Sequence, residues 1–91
     1  MDKNKIALSS LALDLKRVAL GYFRGSNSMA ERFFEEALKR RKEIDSRKVK
    51  PYIRNLLTSF EKIKFEKDKN RKAEDALMYS TLFQNASLAK K

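Results

Sequence analysis

Residues 4–25 read NKIALSSLALDLKRVALGYFRG, and the period of this stretch decides the fold. Leu8, Leu11, Leu15, Val18 and Tyr22 recur at spacings of 3, 4, 3 and 4, which sets them on one stripe of an α-helix. Ala12, Ala19 and Phe23 widen that face. The spacing predicts a helix from Asn4 to Arg24, stopped at Gly25, which can take the left-handed conformation of a helix cap. An apolar run near an N-terminus also suggests an export signal. Here Asp14, Lys16 and Arg17 interrupt it, and no span reaches the ~20 apolar residues of a bilayer crossing.

Outward from Gly25, Ser26-Asn27-Ser28 reads as a turn, and Ser28 followed by Glu31 as a capping box opening a second helix. That helix is predicted from Met29 to Ile44, with Met29, Ala30, Phe33, Phe34, Ala37 and Ile44 facing inward. On its other side Glu35 precedes Lys39 by four residues and Glu36 precedes Arg40 by four, a spacing that pairs opposite charges. Asp45-Ser46 ends the period. Pro51 suits the first turn of a third helix, predicted from Val49 to Glu66 with Val49, Tyr52, Ile53, Leu56, Leu57, Phe60 and Ile63 on one side.

Residues 66–71 carry no aliphatic or aromatic side chain and read as a connection, with Asp68 or Asn70 capping a fourth helix. This last helix, from Arg71 to Leu88, is expected to bury Ala76, Leu77, Tyr79, Leu82, Phe83 and Ala86. Short connections between amphipathic helices predict an all-α, antiparallel up-down four-helix bundle, formed as a single domain over residues 1–91. Because the third connection lacks Gly and Pro, fusion of helices three and four into one is the alternative.

The chain has no Cys and no His among its 91 residues. Disulfides, thiolate chemistry, zinc fingers and histidine acid–base catalysis are thereby excluded, leaving carboxylate-bound hard metals as the one metal chemistry open. Glu31 and Glu35, and Glu74 with Asp75, are explained by capping and surface pairing rather than by the convergent carboxylates of a two-metal nuclease. No catalytic, metal or cofactor site is expected.

Charge is the main functional signal. Of a net +10, a surplus of six lies between Lys39 and Arg54, where Lys39, Arg40, Arg41, Lys42, Arg47, Lys48, Lys50 and Arg54 face only Glu43 and Asp45. By contrast residues 25–38 are net negative and residues 73–91 neutral. Concentrated like charge repels itself, which a polyanionic partner relieves. Half of the eight cations are arginines, whose planar fork suits phosphate. In an up-down bundle this connection lies at the end that holds both termini, so Lys3, Lys5, Lys90 and Lys91 should join it.

Three smaller features remain. The Arg24–Ser28 turn leads into a helix N-terminus, a natural anion site, but plain capping accounts for it. Lys62, Lys64, Phe65 and Lys67 form a secondary basic and aromatic set, in which Phe65 is expected to close the bundle against helix four or else to stack on an unpaired base; Tyr52, between Lys50 and Arg54, invites the same two readings. Ile6, Leu13 and Leu20, seven apart and off the main stripe, form a second apolar line that marks either a central helix or a partner contact. Leu38 is expected to share that surface.

The expectation is a non-enzymatic, cytoplasmic, nucleic-acid-associated accessory protein, a small subunit of an information-processing complex. It would contact DNA or RNA phosphates without sequence preference, since no helix-turn-helix spacing stands out. The alternatives are a protein–protein adaptor or self-associating bundle using the helix-one seam, and a basic bundle acting near a membrane in the manner of small immunity proteins.

Overall fold

The buried stripe of the first helix organises the whole molecule. The computed structural model describes residues 2–89. These form α1 (Lys3–Phe23), α2 (Asn27–Arg41), α3 (Pro51–Ser59) and α4 (Lys69–Leu88), with short 3-10 segments at Ser46–Lys48 and Phe60–Phe65. Leu8, Leu11, Leu15 and Val18 are buried as their spacing requires, together with Ala7, Ala12 and Ala19. α1 packs most extensively on α4 and next on α2, while α3 and its 3-10 extension lie against α4. The result is an all-α four-helix bundle.

Local chemistry sets the element ends. The Asp2 side chain accepts from the Asn4 N–H at 2.9 Å and caps α1; Gly25, at φ 75°, turns the chain into α2. That helix starts two residues before the predicted Met29, so Ser28 lies inside it. Ser26 takes the cap position without a side-chain hydrogen bond, and the expected Ser28–Glu31 box does not form. α2 also ends early, at Arg41, although Ile44 beyond it is still buried.

The third helix is shorter than its periodicity suggested. After Ser59 the backbone tightens into a 3-10 segment, whose three-residue turn brings residues three apart into line. Phe60 and Ile63 thereby both enter the core. Phe60 is its centre, meeting Phe34 edge-on at 6.2 Å and Phe83 at 5.7 Å between ring centroids. Such pairs contribute about 0.5–1.5 kcal/mol each beyond area burial. Asp68 then accepts from the N–H groups of Asn70 and Arg71 at 2.9 and 3.4 Å, so α3 and α4 are separate helices.

α4 runs antiparallel to α1 and approaches it through small side chains. Ala73, Ala76, Ser80 and Ala86 are buried with Phe83 as the one large member, and the Ser80 hydroxyl donates to the Ala12 carbonyl at 2.6 Å. This close approach leaves no room for the leucines expected inside. Leu77 and Leu82 are exposed, as is Phe23 at the end of α1. On the other side of α1, a Cβ added to Gly21 would stand 2.9 Å from the Ala30 N, Cα and Cβ atoms. Gly21 is therefore a contact point between helices rather than a break in α1.

Gly21→Ala tests that crossing. Alanine favours a helix interior by about 1 kcal/mol, but here it would push against backbone, and overpacking costs about 1–3 kcal/mol. Thermal unfolding should show a Tm lowered by several degrees, at ~4–8 °C per kcal/mol for a domain of this size; an unchanged or raised Tm would mean that the helices do not meet there.

Candidate functional site

The basic connection has few apolar anchors of its own, and a buried side chain from the start of α1 fixes it in place. The Asn4 amide Nδ2 donates to the Asp45 carbonyl at 3.2 Å, and its Oδ1 accepts from the Asp45 N–H at 3.0 Å. The backbone donor and acceptor of one residue, Asp45, are thus both satisfied by one amide side chain. Asp45 in turn caps the Ser46–Lys48 turn, accepting from the Arg47 N–H at 3.0 Å and from its guanidinium at 3.2 Å. The Arg47 guanidinium and then its backbone N–H hold the Asp45 carboxyl below its ordinary value. Arg54 closes the turn from α3, donating to the carbonyls of Ser46 and Val49 at 3.3 and 3.4 Å.

The four arginines of the sequence cluster are thus largely engaged within the protein. Besides Arg47 and Arg54, Arg41 pairs with Glu61 at 3.0 Å and donates to the Leu57 carbonyl. Arg40 pairs with Glu43 at 3.3 Å and leans across to Asp14 at 3.9 Å, rather than to the expected Glu36. Lys39, Lys42, Lys48 and Lys50 are exposed and make no ion pair among the described residues. Within the cluster it is therefore the lysines, rather than Arg40, Arg41 and Arg47, that have no ion-pair partner among the described residues.

Lys48 and Lys50 come together with Lys5 around a groove of about 290 Å³. Its floor is the buried Leu8, Ile53 and Ala86, and one wall is Tyr52, 50% exposed. Asp2, which caps α1, also lines the groove, so one carboxylate stands there against the three lysines. The connection does sit at the N-terminal end of α1 and the C-terminal end of α4, as the up-down layout requires. Lys3 lies on the neighbouring surface with Arg40 and Glu43, while Lys90 and Lys91 fall outside the described residues.

Asp14 is the second residue whose role the pattern did not disclose. Its side chain is only 8% exposed, between Arg40 and Arg17 at 3.9 and 4.0 Å. Neither distance is a hydrogen bond, and both the Asp14 Oδ2 and the Arg40 Nε are buried without a hydrogen-bond partner. Burial pushes the Asp14 carboxyl up from its ordinary 3.8, against the opposing pull of Arg40 and Arg17. The Arg17 guanidinium also lies 5.2 Å from the Phe33 ring centroid.

The secondary set lies toward the other end of the molecule. Phe65 is 73% exposed, with the Lys64 Nζ 5.0 Å from its ring centroid, so it does not close the bundle against α4. Lys62 and Phe65 share a cleft of about 470 Å³ with Glu66 and Asp75, carboxylates that oppose anion binding there. Lys64 and Lys67 are exposed nearby. The second apolar line on α1 is a surface feature: Ile6, Leu13 and Leu20 are 50%, 48% and 39% exposed. Leu77 and Leu88 of α4 flank the grooves beside it. Leu38 does not share that exposure, being half-buried against the core.

Comparison with protein-family models, curated proteins and solved structures finds no match for this chain.

The raised Asp14 carboxyl gives a pH signature. A carboxyl that holds its proton more tightly when folded adds stability below its unfolded value, and loses that contribution as pH rises through its folded value. In urea unfolding, wild type should therefore gain stability relative to Asp14→Asn as pH is lowered from 7 toward 4. A difference that stays constant, or runs the other way, would show that Asp14 is not desolvated.

Proposed function

We propose that this chain is a non-enzymatic nucleic-acid-associated protein that docks on phosphates through its basic end, as an accessory subunit of an information-processing complex. The observation that carries this reading is the division of labour among the cations. Arginines hold the connection and its surroundings together, and Lys48 and Lys50 beside Lys5 make no ion pair among the described residues. Cations left free on an ordered backbone are well suited to polyanions, because binding then releases condensed counterions with little ordering of the protein. Lysine acts as a point charge, and such contacts position a phosphate backbone without reading base sequence. No helix among the described residues is long and apolar enough to cross a membrane.

A second reading, contact with another protein or a second copy, is supported by the exposed line Ile6, Leu13 and Leu20. A partner covering this line would meet the lysine-rimmed groove at Lys5, which lines both.

Two measurements check these readings. Anisotropy titrations of a labelled duplex should give a log–log salt slope near −3.6 if about four phosphates are neutralised, and the Lys48→Gln/Lys50→Gln double variant should flatten it by about 1.8. Absence of DNA and RNA binding at low salt would remove the phosphate reading. Sedimentation of the free chain should show a species larger than monomer that reverts on Leu13→Asp if the seam self-associates; a monomer in both forms would confine the seam to other partners.

A further inference from the structure

The lysine-rimmed groove has a feature that phosphate docking alone does not use. Its floor and one wall are apolar and aromatic: Leu8, Ile53 and Ala86 beneath, Tyr52 at the side. Lys48 and Lys50 precede Tyr52 within four residues of chain, and Lys5 stands on α1. Cations from two separate parts of the chain thus line one groove together with Tyr52. A chain of phosphates held by these lysines would bring a base beside the groove. We infer that the groove takes an unstacked base, with Tyr52 as the stacking platform, so that the polyanion this end prefers is single-stranded nucleic acid. This inference rests on the phosphate-docking reading and names its substrate class.

The physical case is one of access. In a duplex the base faces are stacked on one another, and an apolar slot at the end of a bundle can meet only phosphates and sugars. In a single strand every base has a free face, and stacking on an aromatic side chain strengthens binding regardless of sequence. At about 290 Å³ the groove is at the lower limit for small-molecule sites, a size for one ring system rather than a large ligand. Tyr52 is half exposed, so its ring is available without unfolding the core.

The test compares a labelled twelve-nucleotide oligothymidylate with a twelve-base-pair duplex at low salt, for wild type, Tyr52→Phe and Tyr52→Ala, with circular dichroism confirming that each variant is helical. The single strand should bind more tightly than the duplex despite its lower charge density. Tyr52→Ala should weaken single-strand binding by about 5- to 150-fold and leave its salt slope unchanged, since no cation is lost. Tyr52→Phe should retain it. Equal or tighter duplex binding, or an unaffected Tyr52→Ala, would overturn the base-stacking site while leaving phosphate docking standing. Binding of neither oligonucleotide would overturn both. So would flotation with vesicles of equal phosphatidylcholine and phosphatidylglycerol without oligonucleotide binding, which would assign the groove and its lysines to an anionic lipid surface.

Discussion

The reciprocal pair of hydrogen bonds between the Asn4 side chain and the Asp45 backbone is the constraint on which the order of the basic end depends. Residues 42–50 contain two large apolar side chains, Ile44 and Val49, and hydrophobic burial alone gives such a segment few fixed points. Asn4 supplies another across 41 residues of sequence. From that anchor the order propagates: Asp45 caps the short turn, Arg47 binds Asp45, and Arg54 reaches back to Ser46 and Val49. Lysines on so ordered a backbone lose less freedom on meeting an anion than lysines on a mobile loop, which is how preorganisation raises affinity.

The bundle itself rests on close approach at two helix contacts. Small residues line the α1–α4 contact, and Gly21 meets Ala30 where α1 meets α2. Bringing backbones together in this way excludes large side chains from those interfaces. The displaced leucines of α4 and the Ile6, Leu13 and Leu20 line of α1 then appear on the surface. The same packing that stabilises the core thus leaves an exposed apolar face, which meets the basic end at Lys5 and Ile6.

Much of the fold was legible in the sequence because α1 follows one period without interruption, and because Gly25, Pro51 and Asp68 mark its turns and caps by local chemistry. The errors have physical causes. Assigning the largest apolar residues to the core misplaced Leu77, Leu82, Phe23 and Tyr52; for the two leucines the cause is that close contact of α4 selected alanine and serine instead. The 3-10 stretch after Ser59 was hidden because Phe60 and Ile63 have apolar positions compatible with either helix type. The position of the charge cluster was readable from topology. The engagement of its arginines was not, since it depends on Asp14, Glu61 and backbone carbonyls distant in sequence. Asp14 did leave a trace, as a lone carboxylate flanked by Leu13 and Leu15; Asn4 left none, because its partner is a backbone that only the fold brings near.

The most direct test of the account is a map of amide chemical-shift changes on titrating the intact chain with an oligothymidylate. The account predicts changes concentrated at Lys5, from Lys48 to Ile53, and from Ala86 to Ala89, which surround the groove, with little change along residues 26–38. Changes that leave Lys48–Ile53 unmoved while gathering on α2 or on the Phe65 end would contradict it.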